Sequence, residues 1–445
     1  MSSVLINIGQ SGAAAARAAL ELTSQNIANA GNADYTRRTL SQSEVVGTAT
    51  IGLFTNTAFS GVRIGSINRS DSTFLQIGAR DAASDLARAD AELTNLRRTE
   101  GALESAGVFE RITDFEAALG QLEGDPLDPS LRAAALESGR VAADSLQLAS
   151  NALTDARQSV QVQAQAGVDA FNVEAIELAQ INEAIFRALP GTAGYAALLD
   201  RRDATLSDMA EQSGIAVEYL PNGGVNVRMG DANGPVVVTG TAAYALSGAI
   251  AADGTISFDL NGTAVVPASG ALSGYSSTLI TQRDLQSDLD GIAAQLISTV
   301  NSAQTNGVDR NGAAGQPFFS GSTATDIGIA LASGTGIATA PAGSPALSLD
   351  TGNIAALRSA LGSNGPADGA DALLFGLSSR ISGQEVTRDA LATISQSADS
   401  ALGAETAVDL DQEAANLVRY QQAFQASSRI IQVANDIFDT MLGIR

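Results

Sequence analysis

VDLDQEAANLVRYQQAFQASSRIIQVANDIFDTMLGIR, residues 408–445, decides how this chain reads. Leu410, Leu417, Phe424, Ile431 and Phe438 recur every seven residues, and Ile430, Ile437 and Ile444 form the row beside them. Such a repeat draws one apolar stripe along an α-helix and calls for a partner helix. Asp409 and Asp411 stand at its start and Arg445 at its end, as the helix dipole favours. The stripe is wider than a two-helix seam requires, and Gln421, Ser428 and Asn435 interrupt it. Polar seam positions cost stability but fix register and partner.

The opposite end carries a weaker version. After Ser2 and Ser3, either of which can cap a helix, come Leu5, Ile8, Gly12, Ala15, Ala19, Leu22, Asn26 and Asn29. Their spacing is that of a heptad seam, but Gly, Ala and Asn leave it little apolar area. The two ends are either helices of an ordinary bundle, or a coiled coil that offers its outer faces to other subunits.

Inward of the ends, residues 71–213 are again helical in pattern. One helix follows Asp71. A second runs over 131–186 after the turn GDPLDPS (124–130), with Gly167 as its weak point, and a third over 195–212 after LPGTAG (189–194). From Ile215 the period switches to two: IAVEYL, Pro221-Asn222-Gly223-Gly224 and VNVRM read as a hairpin, and TISFDL, Asn261-Gly262 and TAVV as a second. Helical character returns over 279–301, while 307–383 is rich in Gly, Ala and Ser and reads as an irregular surface fold. The expected fold is mainly α with a smaller β insertion. Residues 1–40 and 400–445 make a terminal coiled-coil assembly domain, 41–214 and 275–399 an elongated helical-bundle rod, and 215–274 an outer β domain. Residues 320–390 either complete the rod or form a further domain.

Composition excludes much chemistry. The 445 residues hold 25 basic and 48 acidic side chains, for a net charge of −23, and every basic residue is Arg. There is no Lys, His, Cys or Trp. Zinc sites of the N/S kind, Ser-His-Asp triads, thiolates, Schiff bases and phosphate loops ending in Lys are all ruled out. Neither a catalytic residue nor a metal ligand nor a cofactor is assigned. A hydrolase built on two carboxylates is the remaining enzyme reading, and it would need a cleft holding two carboxyls about 5–9.5 Å apart. Asp200, Arg201, Arg202 and Asp203, the densest charge cluster, read as a salt-bridge group. Asp309, Asn311 and Gly312 lack the closing Glu of a calcium loop and read as a turn, and Gly334-Thr335-Gly336 is too short for a nucleotide fingerprint. The acidic balance disfavours nucleic acid. No window of about 20 apolar residues offers a membrane span, and no cleavable signal peptide is read at the start, so export would take another route.

Four segments carry a resemblance. SQNIANAGNADYTRR (24–38) and the whole of 408–445 are similar to the terminal motifs of the axial proteins of the bacterial flagellum. YAALLDRRDATLSDMAEQSGIAVEYLPNGGVNVRMGD (195–231) and NSAQTNGVDRNGAAGQPFF (301–319) resemble, within that group, the hook-associated junction family. The resemblance implies a structural, non-enzymatic subunit of the extracellular hook–filament junction. It would be exported unfolded by the flagellar type III system and self-associate in a tubular helical assembly. Its implied neighbours are hook protein and hook-associated protein 3, with an export chaperone on the C-terminal helix. A hook or rod protein of the same axial group is the alternative, and should lack the 71–213 helices. Leu5, Ile8, Ala15, Leu22, Leu410, Leu417, Phe424, Ile430, Ile431, Ile437 and Phe438 are the expected assembly contacts. Tyr35, Arg37 and Arg38 read by themselves as a surface loop; the resemblance makes them a subunit-contacting hinge. Ends that cannot bury such stripes alone stay disordered until assembly supplies the burial.

Overall fold

The computed structural model describes residues 2–51, 54–362 and 364–443; Ile444 and Arg445 lie outside them. The chain starts with α1 (Ser2–Asn29) and the hairpin β1 (Arg38–Ile51) and β2 (Phe54–Arg69). The helices α2 (Thr73–Ala106), α3 (Val108–Gly124), α4 (Pro129–Arg187) and α5 (Ala193–Gln212) follow. Next come β3 (Ile215–Tyr219), β4 (Val225–Met229), β5 (Val236–Thr239), β6 (Ala242–Ala243), β7 (Leu246–Ile250), β8 (Ile256–Leu260) and β9 (Thr263–Val265). Four helices close the sequence: α6 (Ala271–Thr305), α7 (Gly352–Leu361), α8 (Pro366–Thr406) and α9 (Leu410–Gly443). The fold is mainly α with a smaller β portion.

Local chemistry sets the boundaries. Gly107, in the left-handed region at φ 63°, separates α2 from α3. Asp128 Oδ1 accepts the amides of Ser130 and Leu131 at 2.6 and 3.1 Å, with Pro129 opening the helix, so the DPS of the turn starts α4. That helix runs unbroken through Gly167. Asp409 Oδ1 caps α9 in the same way, accepting from Asp411 and Gln412.

The chain folds as two compact units. The first comprises residues 1–84, 171–245 and 392–445, the second 85–170 and 246–391. In the first unit α1 packs along α9 and against the β1–β2 hairpin, and β3-β4-β5-β6 form an antiparallel sheet. In β4 the alternate residues Val225, Val227 and Met229 are buried, as a strand with one inward face requires. The second unit holds the sheet β7-β8-β9 and one continuous core from α2, α3, α4, α6, α7 and α8.

Three expectations change. Residues 41–69, read as the start of a helical rod, form with 38–40 a long hairpin, as their Thr, Val and Ile content favours. The two sheets of the expected single β domain, 215–274, fall one in each unit. The 307–383 segment is neither superficial nor wholly irregular. Its Phe318 and Phe319 lie 4.8 Å apart between ring centroids and pack on Phe115 at 5.3 and 5.8 Å in the second unit's core, and 366–383 belong to α8. Asn301 makes this fit: its Oδ1 accepts both Phe amides at 2.8 and 2.9 Å, and its Nδ2 donates to the Phe319 carbonyl at 2.8 Å.

Candidate assembly site

The α1–α9 pair is built on small residues. A Cβ on Gly9 would lie 2.7 Å from Ile431 Cγ1 and 3.2 Å from the Ser427 carbonyl oxygen, and one on Gly12 would lie 2.8 Å from Ser427 Oγ. Ala15, Ala19 and Leu22 continue the buried row of α1, so Ala15 and Leu22, expected as contacts to other subunits, are covered within the chain, and Ala434 of α9 is fully buried. Leu5 lies at the exposed edge of α1, and Ile8 is half-buried. On α9, Leu417 and Ile431 are half-buried, whereas Leu410, Phe424, Ile430, Ile437 and Phe438 are 37–53% exposed. The pair satisfies the small row and leaves the large apolar side chains facing outward.

At the end of α1 a charged latch holds the pair in place. Asn26 is buried; its Nδ2 donates to the Arg38 carbonyl at 2.9 Å, and its Oδ1 accepts from the Tyr35 hydroxyl at 2.8 Å and the Arg38 amide at 3.2 Å. The Arg38 guanidinium lies over the Tyr35 ring at 4.7 Å and pairs with Asp200 at 2.6 Å. Arg69 bridges Asp200 at 2.9 Å and Asp203 at 2.8 Å, and Arg202 takes the other Asp203 oxygen at 2.6 Å. Arg202 Nη1 also donates to the Gly223 carbonyl at 2.6 Å, tying the network to the β3–β4 turn. Arg37 reaches the other way. Its amide donates to the Thr406 carbonyl at 2.8 Å, and its Nε pairs at 2.8 Å with buried Glu413 in the first turn of α9. Burial pushes the Tyr35 phenol above its usual range; the Arg38 charge opposes this, and Asp200 and Glu413 reinforce it.

Tyr35, Arg37 and Arg38 are thus engaged within the chain, and Arg38 is buried rather than looped out. Sequence reasoning does not assign them their partners Asn26, Asp200 and Glu413, nor the Arg69 that shares Asp200. Part of the signal is there: Asn26, Asp200 and Glu413 lie inside the three motif segments 24–38, 195–231 and 408–445, which the fold brings to one place. The 200–203 cluster is a salt-bridge group, as expected, and largely a buried one. Asp309 Oδ1 accepts the Asn311 and Ala313 amides, which makes its loop a turn.

Residues 94–319, half of the chain, match the family described as flagellar hook-associated protein FlgK helical domain. The chain belongs to the FlgK family. Residues 405–444 also match the family described as flagellar basal body rod FlgEFG protein C-terminal, so the α9 segment resembles flagellar proteins beyond the FlgK family. Flagellar hook-associated protein 1 of Escherichia coli K12 is 27% identical over 71% of this chain and 60% of its own length. The Salmonella typhimurium protein of that name is 26% identical over 72% and 59%. The chain therefore spans about 60% of the length of these two relatives. The Bacillus subtilis protein of that name is 25% identical over 96% of this chain and 95% of its own. Among solved structures, the flagellar hook junction protein FlgK from Burkholderia pseudomallei aligns over 55% of this chain and 46% of its own, with 24% identity and a TM-score of 0.48. Among the described residues no helix is long and apolar enough to cross a membrane.

Proposed function

We propose that this chain is a structural, non-catalytic subunit of the extracellular flagellar axis, placed at the junction of hook and filament and assembled through α1 and α9. The observation that carries this is the terminal pair, joined inside by Gly and Ala and lined outside by Leu410, Phe424, Ile430, Ile437 and Phe438. Each large side chain covered by a neighbouring subunit contributes roughly 1.5–3 kcal/mol. The latch of Tyr35, Arg37 and Arg38 would act as the hinge that aims the pair. A tubular lattice of self-associated copies is the assembly that repeats such contacts, because a head-to-tail interface that does not close generates a helical filament.

In this reading the subunit leaves the cell unfolded through the flagellar type III channel, with an export chaperone holding α9. It then seats between hook protein and hook-associated protein 3. A hook or rod protein would share the 405–444 match; the FlgK match over 94–319 favours the junction role. The test is a chain lacking 408–445 in a strain whose own copy is deleted. Electron microscopy should show hooks without filaments, and the purified truncated chain should keep its second unit folded. Filaments of normal number on those cells would refute the role given to α9.

A further inference from the structure

Opposite the latch, carboxylates from four segments of the first unit meet without a matching set of cations. Glu174 and Glu177 come from α4, Asp208 and Glu211 from α5, Asp34 from the loop after α1, and Asp399 from the end of α8. Arg201 neutralises Glu177 at 2.7 Å. Asp34, Glu211 and Asp399 line a cleft of about 240 Å³ whose other wall includes Arg69, Arg80, Asp200 and Asp203. Arg69 is shared between Asp200 and Asp203 on its own wall, and Arg80, which donates to the neutral Tyr219 hydroxyl at 3.1 Å, is the one further cation in the lining, against three carboxylates on the facing side. Glu174 Oε2 is buried with no hydrogen-bond partner.

We propose that this cluster is an acid-tightened joint, in which carboxylate repulsion at and above neutral pH loosens α8 and the 33–36 loop from α4 and α5, and protonation draws them together. Burial, then the charges of Asp208, Glu211 and Glu177, hold the Glu174 carboxyl up at about 7 against an ordinary 4.5. Asp208 and Glu211 are raised as well, by burial first and then by neighbouring carboxylates. A carboxyl raised in the folded state stabilises the fold fully below its unfolded value, and this contribution is lost as pH rises through about 7. The 33–36 loop leads directly into Arg37 and Arg38, so loosening it frees the hinge that carries α1.

The test is hydrogen exchange of the full chain at pH 8.5, 7 and 5.5, corrected for intrinsic rates and read at the amides of α5 and of residues 33–38. Wild type should open about tenfold less often at pH 5.5 than at 8.5, after allowing for solvent screening of half-exposed groups. Glu174→Gln should exchange slowly at pH 8.5 and lose most of that dependence. Glu137→Gln, an exposed residue of the second unit paired with Arg140, should behave as wild type. A wild-type profile that is flat or faster in acid overturns the proposal, and so does a Glu174→Gln profile as steep as wild type.

Discussion

Replacing Asp200 by Asn keeps the shape of the latch and removes the charge that two buried arginines share. The Asp200 side chain is 10% exposed, and those of Arg38 and Arg69 are 8% and 4%. Breaking a buried pair by removing one partner costs about 3–5 kcal/mol, because the remaining charge stays buried. Arg69 keeps Asp203, so the lower value applies, and about 3 kcal/mol is roughly a hundredfold in the opening equilibrium of the first unit. The half-exposed pair Arg97–Glu385 sets the opposite limit: Glu385→Gln should cost under about 1 kcal/mol. Hydrogen exchange at the α5 amides reads the first change, and urea unfolding followed by circular dichroism reads both. A cycle with Arg38→Met isolates the pair, since the double variant no longer buries the Arg38 charge and should lose less than the sum of the singles. An Asp200→Asn chain within about 0.5 kcal/mol of wild type, or strictly additive singles, would refute the account of the latch.

Gly9→Ala gains about 1 kcal/mol of helix propensity but places a methyl group 2.7 Å from Ile431 Cγ1, and such overpacking costs about 1–3 kcal/mol. Proteolysis of α9 should therefore quicken, whereas Gly78→Ala, with open space around it, should stabilise the first unit. Arg132 is fully buried and donates to the carbonyls of Pro126 at 2.6 Å and Ile337 at 2.8 Å and to Thr339 Oγ1 at 2.9 Å, with no carboxylate bound. Arg132→Met leaves those acceptors bare and should destabilise the second unit by about 3 kcal/mol in urea unfolding, at about 1–3 kcal/mol for each unsatisfied group. Phe424→Ser combined with Phe438→Ser should leave circular dichroism and melting of the isolated chain nearly unchanged yet lower incorporation at the hook tip at least tenfold. A marked drop in melting temperature would place those side chains in the core of the chain instead.

The helices legible in the sequence are those with a full buried stripe. In α4, Ala142, Leu146, Ala149, Leu153, Ala156, Val160 and Ala164 are buried at steps of three and four, and that row is the periodicity the sequence displays. The first half of α8 buries Ala367, Ala370, Leu377 and Ile381, with Leu374 packed against the same core, at steps of three and four, but from Ser382 onward it buries Ser395 alone among the described residues and exposes Val386 and Ile394. A face that sparse leaves no period to read. The 307–341 loop is held by contacts distant in sequence, such as Arg132 with the Gly334 and Ile337 carbonyls and Gln304 Oε1 with the Ala338 amide at 2.6 Å. The latch is hidden for the same reason. Asp200 and Arg202 are conspicuous as charges, but no local pattern assigns Asp200 to Arg38 and Arg69, each more than a hundred residues away.

The division of labour within α1 and α9 follows from side-chain size. A seam of Gly9, Gly12, Ala15 and Ala19 buries little apolar area, while ordering a helix costs about 1–2 kcal/mol per residue. Close packing of small side chains therefore sets where α9 lies without offsetting all the ordering of its 34 residues. In the proposed assembly, what remains would come from Phe424, Ile437 and Phe438, which the chain itself leaves partly uncovered. Enlarging the seam would make the isolated pair self-sufficient and remove the reason to recruit a neighbour. The latch then matters most at the start of α9. Because Arg37 holds both the Thr406 carbonyl and Glu413, the first turn of α9 is fixed by contacts within the chain, independently of the outward-facing side chains further along the helix. In the proposed assembly, neighbouring subunits would then have only to secure a helix whose origin is already fixed.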